Sequence, residues 1–162
     1  MKARDVAVEL ALSMYRRSVV MPSITPRNWY ECDLLEITKA GYFREFEVKL
    51  TKADFVKDAC KASWKDRRAE RTKHTRLDCR DTQGPCEFTF VVPEDLAPKL
   101  EPPAWAGMMA FKVVTDIGRP RVYFRSLKTA LRLHRTKADP ALRMQVFEAC
   151  YWRYLPSIRK VT

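Results

Sequence analysis

Apolar and polar positions alternate with a period of two in two neighbouring segments, and this alternation predicts a β-hairpin. Residues 29–37 (WYECDLLEI) form the first predicted strand, residues 39–41 the turn, and residues 42–50 (YFREFEVKL) the second strand. One face of the second strand is nearly all apolar and is expected to pack against helices. That face comprises Tyr42, Arg44, Phe46, Val48 and Leu50, and the opposite face comprises Phe43, Glu45, Glu47 and Lys49.

Three segments have the features of helices. Residues 3–16 are apolar around nearly the whole helical circumference, which predicts a mostly buried helix. Thr51, with Asp54 three residues later, predicts a capping box that opens a helix over residues 52–69. Asp139-Pro140 predicts the start of a last helix that ends before Pro156.

The remaining elements complete a single-domain α/β prediction. Residues 19–24 form a predicted strand whose Pro22 suits the edge of a sheet or the end of a strand, and the polar stretch 71–85 is interpreted as a loop. Further strands are predicted at 87–92, 106–114 and 121–124. This order of helices and strands predicts one domain over residues 1–162, an α/β sandwich around a central mixed β-sheet flanked by helices.

The composition indicates a polyanionic partner. The 162 residues include 31 Lys and Arg against 20 Asp and Glu, a formal net charge of +11. Neutralising phosphates releases condensed counterions, so nucleic acid is the first expected partner, with a basic solvated surface as the alternative. No apolar run reaches the length of a membrane helix, and Asp5 and Glu9 interrupt what would be the core of a signal peptide.

Five cysteines without CxxC spacing fit a reducing compartment. We therefore expect a cytoplasmic protein that does not bind membranes, in a bacterial or phage-infected cell. His74, Cys79, Cys86 and Cys60 together allow a zinc interpretation, but their spacing matches no common zinc finger.

The candidate chemistry lies on the predicted hairpin. Asp33 on the first strand, followed by Glu47-Val48-Lys49 on the second, would bring two carboxylates and a lysine together on one face. Two carboxylates on adjacent strands can hold Mg²⁺, which polarises a phosphoryl oxygen and lowers the pKa of a bound water. The lysine can orient that water or offset charge in the transition state. A surface ladder of charges is the alternative interpretation.

A basic stripe follows the hairpin on the predicted second helix and the loop after it. Its members recur at helical spacing and are expected to contact backbone phosphates, although a solvated helix face has the same pattern. The predicted nucleic-acid contacts are Lys57, Lys61, Lys65, Arg68, Arg71 and Lys73.

The central part of the chain resembles the PD-(D/E)xK nuclease superfamily, in particular the MmcB family of DNA-repair proteins and its phage relatives. The matching stretches are VVMPSI, ECDLLEITKAGYFREFEVKLTKADFVKD, the pair Lys73-His74, FVVPEDL and PAWAGMM. The resemblance extends over most of the chain up to about residue 110, and these stretches are its matching parts. The resemblance implies a restriction-endonuclease-like fold and Mg²⁺- or Mn²⁺-dependent cleavage of DNA. In this chain Cys32 stands where the motif name has proline.

The resemblance also implies a role for each motif residue. Asp33 corresponds to the motif aspartate, while Glu47 and Lys49 correspond to the acid and the lysine of E-x-K. Asp33, Glu47 and Val48 are the expected metal ligands. Glu9, on the first helix, is added to the catalytic set because an acid on that helix often supports the metal site in this superfamily; a solvated position at the edge of the helix is the alternative interpretation.

The leading functional prediction is a metal-dependent nuclease that hydrolyses phosphodiester bonds of DNA in DNA repair, recombination or phage DNA processing. A homodimer is one predicted form of this nuclease. Two alternatives stay open: a catalytically inactive nucleic-acid-binding protein with the same fold, and a phage protein that acts on a host factor.

Overall fold

A six-stranded mixed β-sheet with helices on its faces forms the body of the protein. The computed structural model describes residues 1–26, 28–58, 72–116 and 119–158. The strands are β1 (Ser18–Ile24), β2 (Cys32–Thr38), β3 (Phe43–Val48), β4 (Glu87–Pro93), β5 (Gly107–Asp116) and β6 (Arg119–Lys128). The helices are α1 (Ala3–Met14), α2 (Lys52–Asp58), α3 (Lys73–Asp78) and α4 (Pro140–Ile158), with a short 3₁₀ helix at Ala97–Lys99.

The strands lie side by side in sequence order, from β1 at one edge to β6 at the other. The β1–β2, β2–β3 and β5–β6 pairs are antiparallel, whereas β3–β4 and β4–β5 are parallel. The mixed sheet and the antiparallel hairpin of β2 and β3 are therefore confirmed, and so is the edge position of the strand that carries Pro22. α1 contacts both β1 and β6, so the sheet curls around this helix.

The two faces of the sheet bury separate apolar cores. On one face Phe46 and Val48 pack with Val6 and Leu10 of α1, which confirms the apolar face predicted for the second hairpin strand. On the other face Phe43 belongs to a larger core with residues of β1, β2, β4 and β5. Because side chains alternate along β3, Phe46 and Val48 lie on the face that α1 covers. Phe43, Glu45 and Glu47 lie on the opposite face of the sheet.

Local signals account for the starts of the helices. The Thr51 hydroxyl accepts a hydrogen bond from the Asp54 amide at 3.1 Å, and the Asp139 carboxylate accepts one from the Leu142 amide at 2.6 Å. Both predicted caps are confirmed, because each satisfies an amide that has no partner within the first turn. Beyond Asp58, the predicted second helix lies outside the described residues.

Three expectations about the helices are wrong. α1 buries only one stripe, and Val8 and Leu12 are exposed, because the helix covers one face of the sheet as an outer layer. The stretch predicted as a loop after residue 71 contains α3, capped by the Thr72 hydroxyl. α4 continues past Pro156 to Ile158. No helix in the described ranges is both long and apolar enough to cross a bilayer.

Candidate functional site: a buried acid–lysine cluster

Five charged side chains meet where β3 ends, on the face of the sheet opposite α1. We call them the acid–lysine cluster: Glu45, Glu47, Lys49, Asp58 and Lys73. Their exposed fractions lie between 0% and 8%, which excludes the surface charge ladder as an interpretation of this strand.

Elements that are distant in sequence supply the cluster. Glu45 and Glu47 come from β3, and Lys49 directly follows that strand, where its amide extends the ladder with β4 by donating to the Val91 carbonyl at 2.9 Å. Asp58 is the last described residue of α2. Phe55, three residues earlier on the same helix face, packs on Phe90 with ring centroids 4.7 Å apart, which turns Asp58 towards the sheet.

Lys73 lies between the two glutamates. Its ammonium group pairs with Oε1 of Glu45 and with Oε2 of Glu47, the latter at 2.8 Å, and it lies 5.0 Å from the centre of the Phe88 ring. Burial by itself would lower the pKa of Lys73, but Glu45 and Glu47 outweigh it and raise this pKa well above its ordinary value. Lys73 is therefore a buried cation fixed by two carboxylates.

This burial corrects the predicted role of Lys73. The side chain is 0% exposed, so its ammonium cannot reach a phosphate on the surface without a rearrangement of the core. Lys57, by contrast, is exposed on α2 as a phosphate contact requires. The other members of the predicted basic stripe (Lys61, Lys65, Arg68 and Arg71) lie outside the described residues.

The second half of the cluster is a chain of contacts through Lys49. Its ammonium lies 2.8 Å from Oε1 of Glu47 and 2.7 Å from Oδ1 of Asp58, and Oδ2 of Asp58 lies 2.8 Å from Nε2 of His74. Burial alone would lower the pKa of Lys49, but Glu47 and Asp58 raise it. Burial alone would raise the pKa of Asp58, but His74, Lys73 and Lys49 lower it.

Aromatic side chains close the cluster off from water. The Trp29 indole donates to Oε2 of Glu45 at 2.7 Å, and the ring of His74 lies edge-on to Trp105 at 5.3 Å. Burial raises the pKa of Glu45, although Lys73 acts against this shift. His74 is partly buried, and its Nε2 lies 2.8 Å from Oδ2 of Asp58.

Asp33 lies beside the cluster at the point where β2 and β3 separate. Its carboxylate accepts a hydrogen bond from the Val48 amide at 2.8 Å. The contact puts Asp33 next to the Glu47-Val48-Lys49 segment, as the motif requires. Asp33 is half-buried, and Val48 is buried.

Glu9 lies away from this site. It is exposed on α1, and α1 covers the opposite face of the sheet from the acid–lysine cluster. The sheet therefore separates Glu9 from Glu47, and Glu9 does not join the site. Of the four predicted catalytic residues, Glu47 and Lys49 are in direct contact, and Asp33 contacts the backbone between them through the Val48 amide.

The donor set suits a hard cation, although lysines hold part of it. Asp33 and Glu47 offer carboxylate oxygens, the ligand type that Mg²⁺ and Mn²⁺ prefer. Both oxygens of Glu47 contact ammonium groups, Oε1 that of Lys49 and Oε2 that of Lys73. Among the described residues, no group of three or more His, Cys, Asp or Glu side chains is arranged to hold a metal ion.

Sequence reasoning missed Glu45, Asp58, Lys73 and His74 as members of one network. A signal for Asp58 is its position three residues after Phe55, on the same helix face. Nothing local distinguishes Lys73 from the exposed lysines, since its burial depends on α3 packing against β3 and β4.

Comparisons with known proteins establish a likeness in fold. The chain matches no protein-family model and no curated protein. Among solved structures it is similar to the SPO1766 protein of unknown function from Silicibacter pomeroyi, with 21% sequence identity and a TM-score of 0.54. The match covers 97% of this chain and 88% of that chain.

Proposed function

We propose that the chain is a metal-dependent nuclease that hydrolyses phosphodiester bonds of DNA, in DNA repair, recombination or phage DNA processing. The fold proposed for it within the α/β class is the restriction-endonuclease-like sandwich. The observation that carries the proposal is the contact between the Asp33 carboxylate and the Val48 amide, because it joins the aspartate to the Glu47-Val48-Lys49 segment at one end of the sheet.

The charge balance around this point supports a divalent cation. Asp33, Glu45, Glu47 and Asp58 are four carboxylates against the ammonium groups of Lys49 and Lys73, a surplus of two negative charges when these six groups are ionised, or of one if His74, which contacts Asp58, is also charged. Such a surplus is unfavourable next to apolar side chains, so a cation at this position is stabilised. A chain with a net charge of +11 nevertheless attracts a polyanion to the rest of its surface.

Each residue then has a separate role. Asp33 and Glu47, with Val48 beside them, would hold Mg²⁺ or Mn²⁺, which would supply Lewis-acid polarisation of the phosphoryl oxygen and activation of water. Lys49 stays protonated between Glu47 and Asp58, so it acts as a cation and hydrogen-bond donor for developing negative charge rather than as a base. Asp58 and His74 position Lys49, and Lys73 orients Glu47.

The test is cleavage of plasmid, single-stranded and branched DNA with Mg²⁺, Mn²⁺ or EDTA. We expect metal-dependent products from the wild-type protein and a loss of at least about a hundredfold for Asp33→Asn and Glu47→Gln, since such electrostatic contributions are worth that much. The Asn and Gln variants preserve side-chain shape, which matters for the buried Glu47. Glu31→Gln is the matched control, because Glu31 is an exposed acid two residues before Asp33.

A second function has one specific observation in its favour. Lys49 and Lys73 together contact both oxygens of Glu47, as in a site that has replaced its metal with ammonium groups. If the wild-type protein binds DNA but cuts none of the substrates with either metal, the nuclease proposal is wrong and the catalytically inactive binding protein takes its place.

A further inference from the structure

A second candidate site lies at the β1 edge of the sheet, away from the acid–lysine cluster. It is a cavity of about 370 Å³ between the end of α1, the turn that joins β2 to β3, and α4. We call it the β1–α4 pocket. Its volume lies in the range of roughly 300–1,000 Å³ that is usual for small-molecule sites.

The pocket is lined by positive charge. Arg16, Arg17, Lys39 and Arg143 contribute to its walls, and no Asp or Glu is among the described residues that line it. Within the described part of the chain, none of these four cations has a carboxylate within ion-pair distance. Four like charges around one cavity repel one another, so an anion bound among them is stabilised.

The turn between β2 and β3 positions Arg143. Gly41 has φ +87°, and a Cβ atom at this residue would overlap Nη2 of the Arg143 side chain. The Gly41 carbonyl also accepts a hydrogen bond of 2.8 Å from the Ala138 amide, which ties the segment before α4 to the turn. The guanidinium group of Arg143 therefore lies directly over the turn, in the space that a side chain at residue 41 would occupy.

Two aromatic rings lie beside these cations. Tyr15 and Phe147 line the pocket and are 56% and 59% exposed. The Arg16 side chain donates to the Tyr15 hydroxyl at 3.0 Å, which holds that ring at the rim. Guanidinium groups bind phosphate in a bidentate manner, and exposed aromatic rings stack on nucleobases.

We propose that the β1–α4 pocket binds a nucleoside monophosphate unit, with its phosphate on Arg17 and Arg143 and its base against Phe147 or Tyr15. The pocket is distinct from the acid–lysine cluster. Ile37, in the wall of the pocket, pairs with Phe43 on β3. Glu47 lies four residues beyond Phe43 on the same strand, which separates Phe43 from Glu47 by about 13 Å at ~3.3 Å per residue. The proposal does not depend on nuclease activity.

The test is calorimetric titration of the wild-type protein in EDTA, so that binding is measured without metal-dependent cleavage. The probes are dAMP, inorganic phosphate, and a hexanucleotide with or without a 5′ phosphate. We expect dAMP to saturate one site and to bind at least about tenfold more tightly than phosphate. Arg17→Gln and Arg143→Gln should each weaken dAMP binding at least about tenfold, as the loss of a charge-assisted hydrogen bond implies.

Two further variants separate the base from the phosphate. Phe147→Leu and Tyr15→Leu keep an apolar side chain; at least one of them should weaken dAMP binding and leave phosphate binding unchanged. Arg4→Gln is the matched control, because Arg4 is an exposed arginine at the other end of α1 and should change binding less than twofold. Thermal unfolding of each variant checks that it is folded.

The hexanucleotide identifies the source of the ligand. If it binds as tightly as dAMP only with its 5′ phosphate, and the arginine variants weaken it equally, the ligand is a strand end. If dAMP binds and the hexanucleotide does not, the ligand is a free nucleotide. Absence of saturable dAMP binding at millimolar concentration overturns the proposal, and so does an equal loss in Arg4→Gln. Phosphate that binds as tightly as dAMP, with both leucine variants unchanged, overturns the assignment to a nucleotide.

Discussion

Replacement of Lys73 by Met removes the cation that separates two buried carboxylates. In this variant Glu45 would retain the hydrogen bond of 2.7 Å from the Trp29 indole, and Glu47 would retain its ion pair of 2.8 Å with the Lys49 ammonium. Breaking a buried ion pair by removing one partner costs about 3–5 kcal/mol. Because each carboxylate keeps one partner and the Met side chain can pack on Phe88, we expect a loss near the lower end, about 3 kcal/mol at pH 7.

Urea denaturation in EDTA measures this loss. With an m-value of about 2 kcal/mol/M, the midpoint should fall by about 1.5 M. Lys57→Met is the matched control: Lys57 is exposed on α2, so its replacement should change the free energy of unfolding by no more than about 0.5 kcal/mol.

The loss should also depend on pH, with a definite sign. Without Lys73, which opposes the shift in the wild type, burial raises the pKa of Glu45 in the folded state further, so the folded variant binds more protons than the unfolded chain. The loss relative to wild type is then largest above this raised pKa, and it shrinks as the pH falls towards 4.5, the ordinary value for a glutamate. Adding Glu45→Gln should recover part of the loss at pH 7. A loss below about 1 kcal/mol at pH 7, or one that stays constant between pH 7 and pH 5, would refute the buried-cation interpretation.

Two other substitutions test separate parts of the structure. Asp58→Asn removes the charge that faces Lys49 and His74, and it should lower the free energy of unfolding by about 3 kcal/mol at pH 7. The pKa of Asp58 is lowered in the folded state, so its contribution to the free energy of unfolding is present above the ordinary pKa of 3.8 and is lost as the pH falls below it. Urea denaturation between pH 7 and pH 3 should therefore show the free energies of unfolding of wild type and variant converging. A difference that stays constant over this range would contradict the interpretation. Gly41→Ala places a side chain on a left-handed backbone with φ +87°, so thermal unfolding should show a loss of about 1–3 kcal/mol even if the flexible end of Arg143 moves aside, whereas Ala40→Gly next to it should cost less than half as much.

Local patterns were sufficient to predict β2, β3 and the start of α2 around the candidate site, but not α3. Alternation along residues 42–50 predicted both the hairpin partner of β3 and the separation of Phe46 and Val48 from Glu45 and Glu47. Strand alternation and helix capping each depend on a few consecutive residues, which is why sequence alone determined them. The same patterns could not tell that only one stripe of α1 is buried, because the width of a buried stripe depends on what covers the helix.

The burial of the charges was decided by the tertiary structure. Lys73 and Glu47 are 26 residues apart, and they meet because β3 and β4 are parallel neighbours whose connection brings α3 back over the sheet. In sequence, Lys73 has the appearance of one more residue in a basic stripe, yet it is the most deeply buried cation described. Arg17 and Arg143 likewise reach one pocket only because α4 packs beside β1. The free energy of a charged side chain depends on the solvent and the opposite charges around it, and those neighbours come from distant parts of the chain.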